Sequence, residues 1–217
     1  MKNRFLWLIA LAFMSLAVPF QASAQSYYEG IDYRRVEPAQ PTDTGRKIQV
    51  VEMFWYGCPH CFHFEPYLNR WLKTLPKDVK FERMPATLNP SWVILARAYY
   101  TEQALGVVGK LHDTLFDAIH VKGRDLNSEQ SLAAFFARHG VPAAKFRQAF
   151  DSFTVATDVK RAEIMTQRYG IDGVPSIIVD GKYRTDATLA GGSFDRLLKI
   201  VDFLISKAGK EKAQHGG

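Results

Sequence analysis

The chain has two cysteines in 217 residues, and they stand together as Cys58-Pro59-His60-Cys61. An apolar, β-prone run from Ile48 to Tyr56 precedes them. A helical pattern follows, with Phe62, Leu68, Trp71, Leu72 and Leu75 apolar. The pair therefore falls where a buried strand turns into a helix. The first turn of a helix leaves backbone N–H groups unpaired and carries the positive end of the helix dipole. A sulfur placed there ionises more readily, and the thiolate is the reactive form. Pro59 suits an early helical position, because the N–H it lacks would have no partner there. Two intervening residues put the cysteines about one turn apart, close enough to bridge. On this geometry Cys58 is the exposed attacker and Cys61 the shielded thiol that resolves a mixed disulfide.

Other uses of two cysteines fit the pattern less well. A structural disulfide normally closes a longer loop, since the entropic gain grows with loop length. A zinc site would draw on Cys58, Cys61 and two of His60, His63 and a distant His. Such patterns repeat the C-x-x-C or add a spaced H-x-x-x-H, and neither occurs here. A soft-metal module holding Cu(I) on Cys58, Cys61 and His63 is a further alternative. The redox dithiol is the reading the spacing favours.

Residues 1–24 carry the marks of a secretory signal peptide. Lys2 and Arg4 form a basic start, Phe5 to Val18 is almost wholly apolar, Pro19 ends the run, and Ala22-Ser23-Ala24 is a small-x-small cleavage site. The run is shorter than the roughly 20 apolar residues that span a bilayer. The mature chain is expected to start near Gln25 and to be soluble. Without Lys2 and Arg4 the 28 basic and 22 acidic residues become 26 and 22, a net charge of +4. The basic residues are dispersed, with a small cluster only at Lys207, Lys210 and Lys212, so no nucleic-acid partner is expected. Exported space is oxidising, which suits a dithiol that makes or rearranges disulfides.

With 47% hydrophobic residues the chain can bury a real core. Gln25 to Arg46 reads as an extended segment with a short edge strand around Asp32–Val36. Ile48–Tyr56 reads as a central strand, because its apolar run is nearly continuous. Glu52 interrupts it six residues before Cys58, and a carboxylate there is expected to be buried and purposeful. A helix from Cys58 to about Leu75 is expected to kink at Pro66. Val79–Pro85 is the next strand, parallel to the first. Helices are expected at Trp92–Leu105, Val108–His120, Asn127 or Ser128 to His139, Ala143–Phe150 and Thr154–Tyr169. Then come the strand Ser176–Val179, an Asp180-Gly181 hairpin turn, an antiparallel return strand from Lys182, and a last helix capped by Ser193. The tail from Ala208 reads as loose. His63, His112, His120 and His139 read as ordinary surface residues.

Strand, C-x-x-C at a helix start, then Val174-Pro175 before a β-hairpin and a final helix is the layout of a thioredoxin-like fold. Cys-Pro-His-Cys between Glu52 and Phe62-His63-Phe64-Glu65, a long helical interruption, and Gly173-Val174-Pro175 followed by Val179-Asp180-Gly181-Lys182-Tyr183 resemble the DsbA family of periplasmic thiol:disulfide oxidoreductases. The expected fold is α/β: a thioredoxin-like domain of residues 25–88 and 154–217 with an inserted all-helical subdomain at 89–153.

The resemblance implies a disulfide donor for reduced, unfolded exported proteins, re-oxidised by a DsbB-type, quinone-linked membrane protein. Cys58 would be the nucleophile and Cys61 the resolving thiol, with Pro59 and His60 tuning them. Val174-Pro175 would be a cis peptide facing the disulfide, and Glu52 the acid that moves a proton to or from Cys61. Arg83 stands where the family carries a lysine, and an Arg cannot give up its proton. No cofactor beyond the Cys58–Cys61 disulfide is implied. A reductase or isomerase of the same fold is the nearest rival. About twenty residues precede the first long strand of the mature chain, which points to a monomer rather than a dimeric isomerase. A stabilised Cys58 thiolate would make the reduced form the more stable one at neutral pH.

Overall fold

The computed structural model describes residues 26–215; the expected signal peptide lies outside them. Five strands form one sheet: β1 (Arg34–Arg35), β2 (Ile48–Phe54), β3 (Val79–Pro85), β4 (Ser176–Val179) and β5 (Tyr183–Asp186), in the order β1-β5-β4-β2-β3. β2 and β3 run parallel, joined by helix α1 (Pro59–Leu72), and the other pairings are antiparallel. Between β3 and β4 come α2 (Val93–Ala104), α3 (Val108–His120), α4 (Glu129–Arg138), α5 (Ala143–Phe150) and α6 (Phe153–Arg168). The last helix, α7, spans Phe194–His215.

All seven residues of β2 are buried, as its apolar run predicts for a strand covered on both sides. The period-2 alternation of side chains divides it between two cores. Val51 and Met53, with Ile178 of β4, pack under the helical region that includes Leu95, Leu111, Phe116 and Phe136. Ile48 and Val50, with Ile177 and Val179, pack against Phe64, Leu68 and Trp71 of α1 and Leu197, Val201 and Leu204 of α7. Burying each such large side chain stabilises the fold by about 1.5–3 kcal/mol. Glu52 has the parity of Val50, and Arg83 that of Phe81, so both project onto the side covered by α1. The β2–β3 register sets them directly opposite each other.

Local chemistry sets the boundaries. Ser128 caps α4, accepting from Ser131 N–H at 3.1 Å while the Ser131 hydroxyl takes the reciprocal contact. At the β4–β5 hairpin, whose loop is Asp180 to Lys182, both Asp180 (φ 54°) and Gly181 (φ 64°) are left-handed, a conformation that Gly adopts freely and Asp tolerates. A Cβ on residue 181 would also run into the Gln40 carbonyl. α1 runs through Pro66 and stops at Leu72, three residues short of the expected end.

The tail differs from expectation. α7 continues to His215, with Ala208 fully buried. Charge explains the extension. Lys212 reaches the buried Asp180 Oδ1 at 2.7 Å and the Lys47 carbonyl at 2.8 Å, and Tyr183 donates to Glu211 at 2.6 Å. Lys212 thereby ties the end of the helix to the hairpin. No helix among the described residues is long and apolar enough to cross a membrane.

Candidate active site

Cys58 is the N-cap of α1 in extended conformation (φ −89°, ψ 118°), and Pro59 opens the helix. The Cys58 N–H donates to the Trp55 carbonyl at 3.0 Å, which turns the strand end into the helix start. Trp55 stacks on Trp92 with ring centroids 4.2 Å apart. Gly57 lies so close to the Trp55 ring that a Cβ there would collide with it. Both cysteines are free of a disulfide here. Cys61 is fully buried and Cys58 is 8% exposed, so the attacking sulfur is less open than its sequence position suggests. Pro59, His60 and His63 are exposed.

Val174-Pro175 is a cis peptide at the start of β4. The Cys58 Sγ lies 3.5 Å from the Val174 carbonyl oxygen, 116 residues away in sequence. Val174 is half-buried and Pro175 buried. The Ser176 hydroxyl fixes the loop by donating to the Gly173 carbonyl at 2.7 Å. A shallow depression of about 230 Å³ flanks Val174 and Pro175, bordered by Arg34, Asp186 and Leu189. Larger depressions lie along α7 and α6, away from the cysteines.

The two sulfurs are held in opposite states. The Cys58 thiol is lowered to about 6, first by a hydrogen bond from the Cys61 thiol, then by backbone N–H groups of Cys61 and His60, with a smaller contribution from His60 charge, all against the cost of burial. The Cys61 thiol outweighs the helix terminus and His60 as the cause of this acidity. Burial pushes Cys61 well above its ordinary value, and its hydrogen bond to Cys58 adds to this. The pair thus consists of one acidic sulfur at the rim and one proton-retaining sulfur beneath it.

Under the pair lies a set of buried charges. Glu52 is fully buried, with Arg83 Nε 3.0 Å from its Oε2, within ion-pair range though poorly aligned for a hydrogen bond. Burial and the neighbouring Glu65 carboxylate push Glu52 up to about 8 despite the opposing pull of Arg83. Arg83 donates from Nη2 to Glu65 Oε2 at 3.0 Å. Glu65 Oε1 lies 3.2 Å from His112 Nε2, and His112 Nδ1 lies 2.7 Å from the Tyr56 hydroxyl, which is 2.8 Å from Glu102 Oε2. Burial alone would raise Glu65, but the His112 hydrogen bond and the Arg83 charge hold it below its ordinary value.

His112 is therefore no surface residue: it is 4% exposed. Its place on α3, one and four residues from Leu111 and Phe116, sets it on the buried stripe of that helix. His120 is also engaged, with Nε2 2.7 Å from the Tyr56 carbonyl and its ring stacked on Phe62 at 5.0 Å. Glu65, His112 and Asp113 approach one another closely enough to suggest a metal site. Both ring nitrogens of His112 are already engaged, however, and the Arg83 cation sits on Glu65. Among the described residues neither cysteine belongs to a group of three such donors.

A family model described as a DSBA-like thioredoxin domain matches residues 49–199. The thiol:disulfide interchange protein DsbA of Azotobacter vinelandii is 41% identical over 178 residues, 82% of this chain and 83% of the relative. That of Pseudomonas aeruginosa is 37% identical over 202 residues, 92% of this chain and 95% of the relative. The crystal structure of Pseudomonas aeruginosa DsbA superposes with a TM-score of 0.81 at 37% identity, covering 88% of this chain and 97% of that one.

Proposed function

Because the chain belongs to the family of DsbA-like thioredoxin-domain proteins, we propose how its residues divide the work of a thiol:disulfide oxidoreductase. The opposed states of Cys58 and Cys61 carry this reading. In the oxidised protein a substrate thiolate attacks Cys58 Sγ. The Cys58–Cys61 bond breaks, and Cys61 leaves and takes up a proton. The substrate's second thiolate then attacks its own sulfur in the mixed disulfide, and Cys58 leaves as a thiolate. The substrate loses two electrons and the protein gains them. A leaving thiol of low pKa departs faster, and the stabilised thiolate of the reduced protein favours donation at equilibrium.

Glu52 is the proton store for Cys61. Its raised pKa keeps a proton on it at neutral pH, and once it gives that proton up its carboxylate charge raises the pKa of Cys61, which favours the proton staying on the sulfur. Arg83 holds its own proton at all accessible pH and acts as a fixed charge. Pro59 sets the helix start, and His60 adds positive charge at the rim. The cis Val174-Pro175 segment offers backbone beside Cys58 to an extended substrate, and the shallow depression beside it suits many unrelated chains. The cysteine pair is the redox group.

The working place is the periplasm, after removal of residues 1–24. The partners are reduced exported proteins and a DsbB-type, quinone-linked membrane protein that restores the disulfide, with the protein acting as a monomer. Residues 89–153 are an insertion into a thioredoxin-like domain of 25–88 and 154–217.

The test is stopped-flow oxidation of a peptide carrying two thiols by the disulfide form. Wild type is expected to oxidise it stoichiometrically. Glu52→Gln keeps the neutral shape of protonated Glu52, so stability should change by less than about 1 kcal/mol. Proton delivery to Cys61 is lost, and the reaction should slow by about tenfold at neutral pH. A Glu52→Gln rate equal to wild type would remove Glu52 from the mechanism. Tight stoichiometric Cu(I) binding without peptide oxidation would replace the donor reading with metal carriage.

A further inference from the structure

Arg83 supplies one fixed positive charge to two buried carboxyl groups, Glu52 and Glu65. Two carboxylates and one guanidinium leave a surplus negative charge, which burial disfavours strongly. One carboxyl must therefore keep its proton. The choice depends on which carboxylate has further donors.

Glu65 has such a donor and Glu52 has none. His112 Nε2 faces Glu65 Oε1 at 3.2 Å. Glu52 Oε1 has no hydrogen-bond partner among the described residues. The proton on His112 is fixed by its other neighbour. Tyr56 has one hydroxyl proton and lies between Glu102 and His112 Nδ1. If a protonated Glu102 donates to Tyr56, Tyr56 donates to Nδ1 and the imidazole proton stays on Nε2. If Tyr56 donates to an ionised Glu102, Nδ1 must donate to the phenol oxygen, and Nε2 keeps a proton only when His112 is an imidazolium. A bare Nε2 would set a lone pair against the carboxylate that Arg83 holds. Burial pushes Glu102 up and His112 down, which favours the neutral arrangement.

We propose that His112 is a positioning residue for the exchange at Cys61: its Nε2–H, aligned by Tyr56 and Glu102, assigns the Arg83 charge to Glu65 and leaves the proton on Glu52. The groups that face His112 are Glu65 of α1, Tyr56 just after β2, Arg83 of β3, Tyr99 of α2 and its neighbour Asp113, with Glu102 of α2 reached through Tyr56. The helical region thereby sets the proton affinity of a group under the dithiol without touching either sulfur. The proposal rests on Glu52 as the proton store of Cys61.

The deciding experiment is a pH titration of the side-chain carboxyl carbons of Glu52 and Glu65 by nuclear magnetic resonance, on the reduced mature protein. Spectra of Glu52→Gln and Glu65→Gln give the assignments. His112→Leu removes the donor, so the Glu65 midpoint should rise and the Glu52 midpoint fall by at least one pH unit. His112→Gln, whose amide can donate in its place, should restore most of both shifts. Unchanged midpoints in His112→Leu, or equal shifts in His112→Leu and His112→Gln, would overturn the proposal. If His112→Leu does not fold, Tyr56→Phe decides. Loss of the phenol frees the imidazole tautomer, and smaller shifts in the same opposed directions are expected; no shift overturns the proposal. Peptide oxidation by Glu52→Gln tests the proton-store role separately, so the two ideas can fail independently.

Discussion

Replacing Cys61 by Ala is expected to abolish disulfide donation and to raise the Cys58 pKa by at least one unit. Both effects come from one sulfur. Cys61 is the partner in the reactive disulfide, so its loss leaves nothing to donate. It is also the first cause of the low Cys58 pKa, through a hydrogen bond that only its protonated form can give. Burial keeps that proton in place, since Cys61 is fully covered. One unit corresponds to about 1.4 kcal/mol, or a tenfold change in thiolate fraction below the pKa. The variant still presents a thiolate, which attacks an added disulfide and releases its other half. With no second thiol to attack it, the mixed disulfide at Cys58 accumulates. The pH dependence of alkylation gives the pKa, and mass spectrometry counts the adduct. An alkylation midpoint still near 6 would show that the backbone N–H groups and His60 set the acidity alone.

The second large effect is a pH-dependent gap between the stabilities of the reduced and oxidised proteins. Reduced Cys58 has a folded pKa of about 6 against an ordinary value of 9.0. A lowered acid pKa stabilises the fold above that value and loses its effect as pH falls through it. The oxidised protein has no thiolate and lacks this contribution. Between pH 5 and pH 8 the reduced form should therefore gain about 2 kcal/mol relative to the oxidised form, after allowance for solvent screening at the rim. Above pH 9 Cys61 acts the other way, because it keeps its proton in the fold while the unfolded chain would ionise. The chain-entropy gain of so short a disulfide loop, about 2 kcal/mol, favours the oxidised form equally at every pH and so shifts the gap without changing its slope. Glu52 is present in both forms and largely cancels. Urea unfolding of the two forms at pH 5, 6, 7 and 8 measures the gap. A constant gap would mean that Cys58 is not ionised in the native protein at neutral pH.

Much of this site is legible in the sequence because its parts are local. Cys58, Pro59, His60 and Cys61 are adjacent, and the strand-to-helix transition around them follows from the change of period on either side. Glu52 stands out as a lone carboxylate in an otherwise apolar strand, and the β2–β3 register then delivers Arg83 to it. Val174-Pro175 lies 116 residues from Cys58 and was placed by resemblance rather than by spacing.

The remainder depends on tertiary packing. Glu102 lies on the same stripe of α2 as Leu95, Ala98 and Tyr99, and His112 on that of Leu111, Leu115 and Phe116. That periodicity marks both as buried, but only the packing of α2 and α3 against the end of β2 shows that Tyr56 joins them. The length of α7 depends on tertiary contacts in the same way. Lys212 is exposed in any local view of the tail, and its partner Asp180 belongs to a hairpin over thirty residues earlier.

On this geometry the Cys58–Cys61 pair gives up its disulfide more readily than it keeps it. Equilibration of the purified protein in graded glutathione buffers tests this most directly, read by the fluorescence of Trp55, three residues from Cys58. The stabilised Cys58 thiolate predicts a midpoint well above the glutathione range, since each pKa unit of lowering is worth about 30 mV for a two-electron couple. A midpoint near that of thioredoxin, about −270 mV, would mean that the pair is kept reduced, and the account of a disulfide donor would be contradicted.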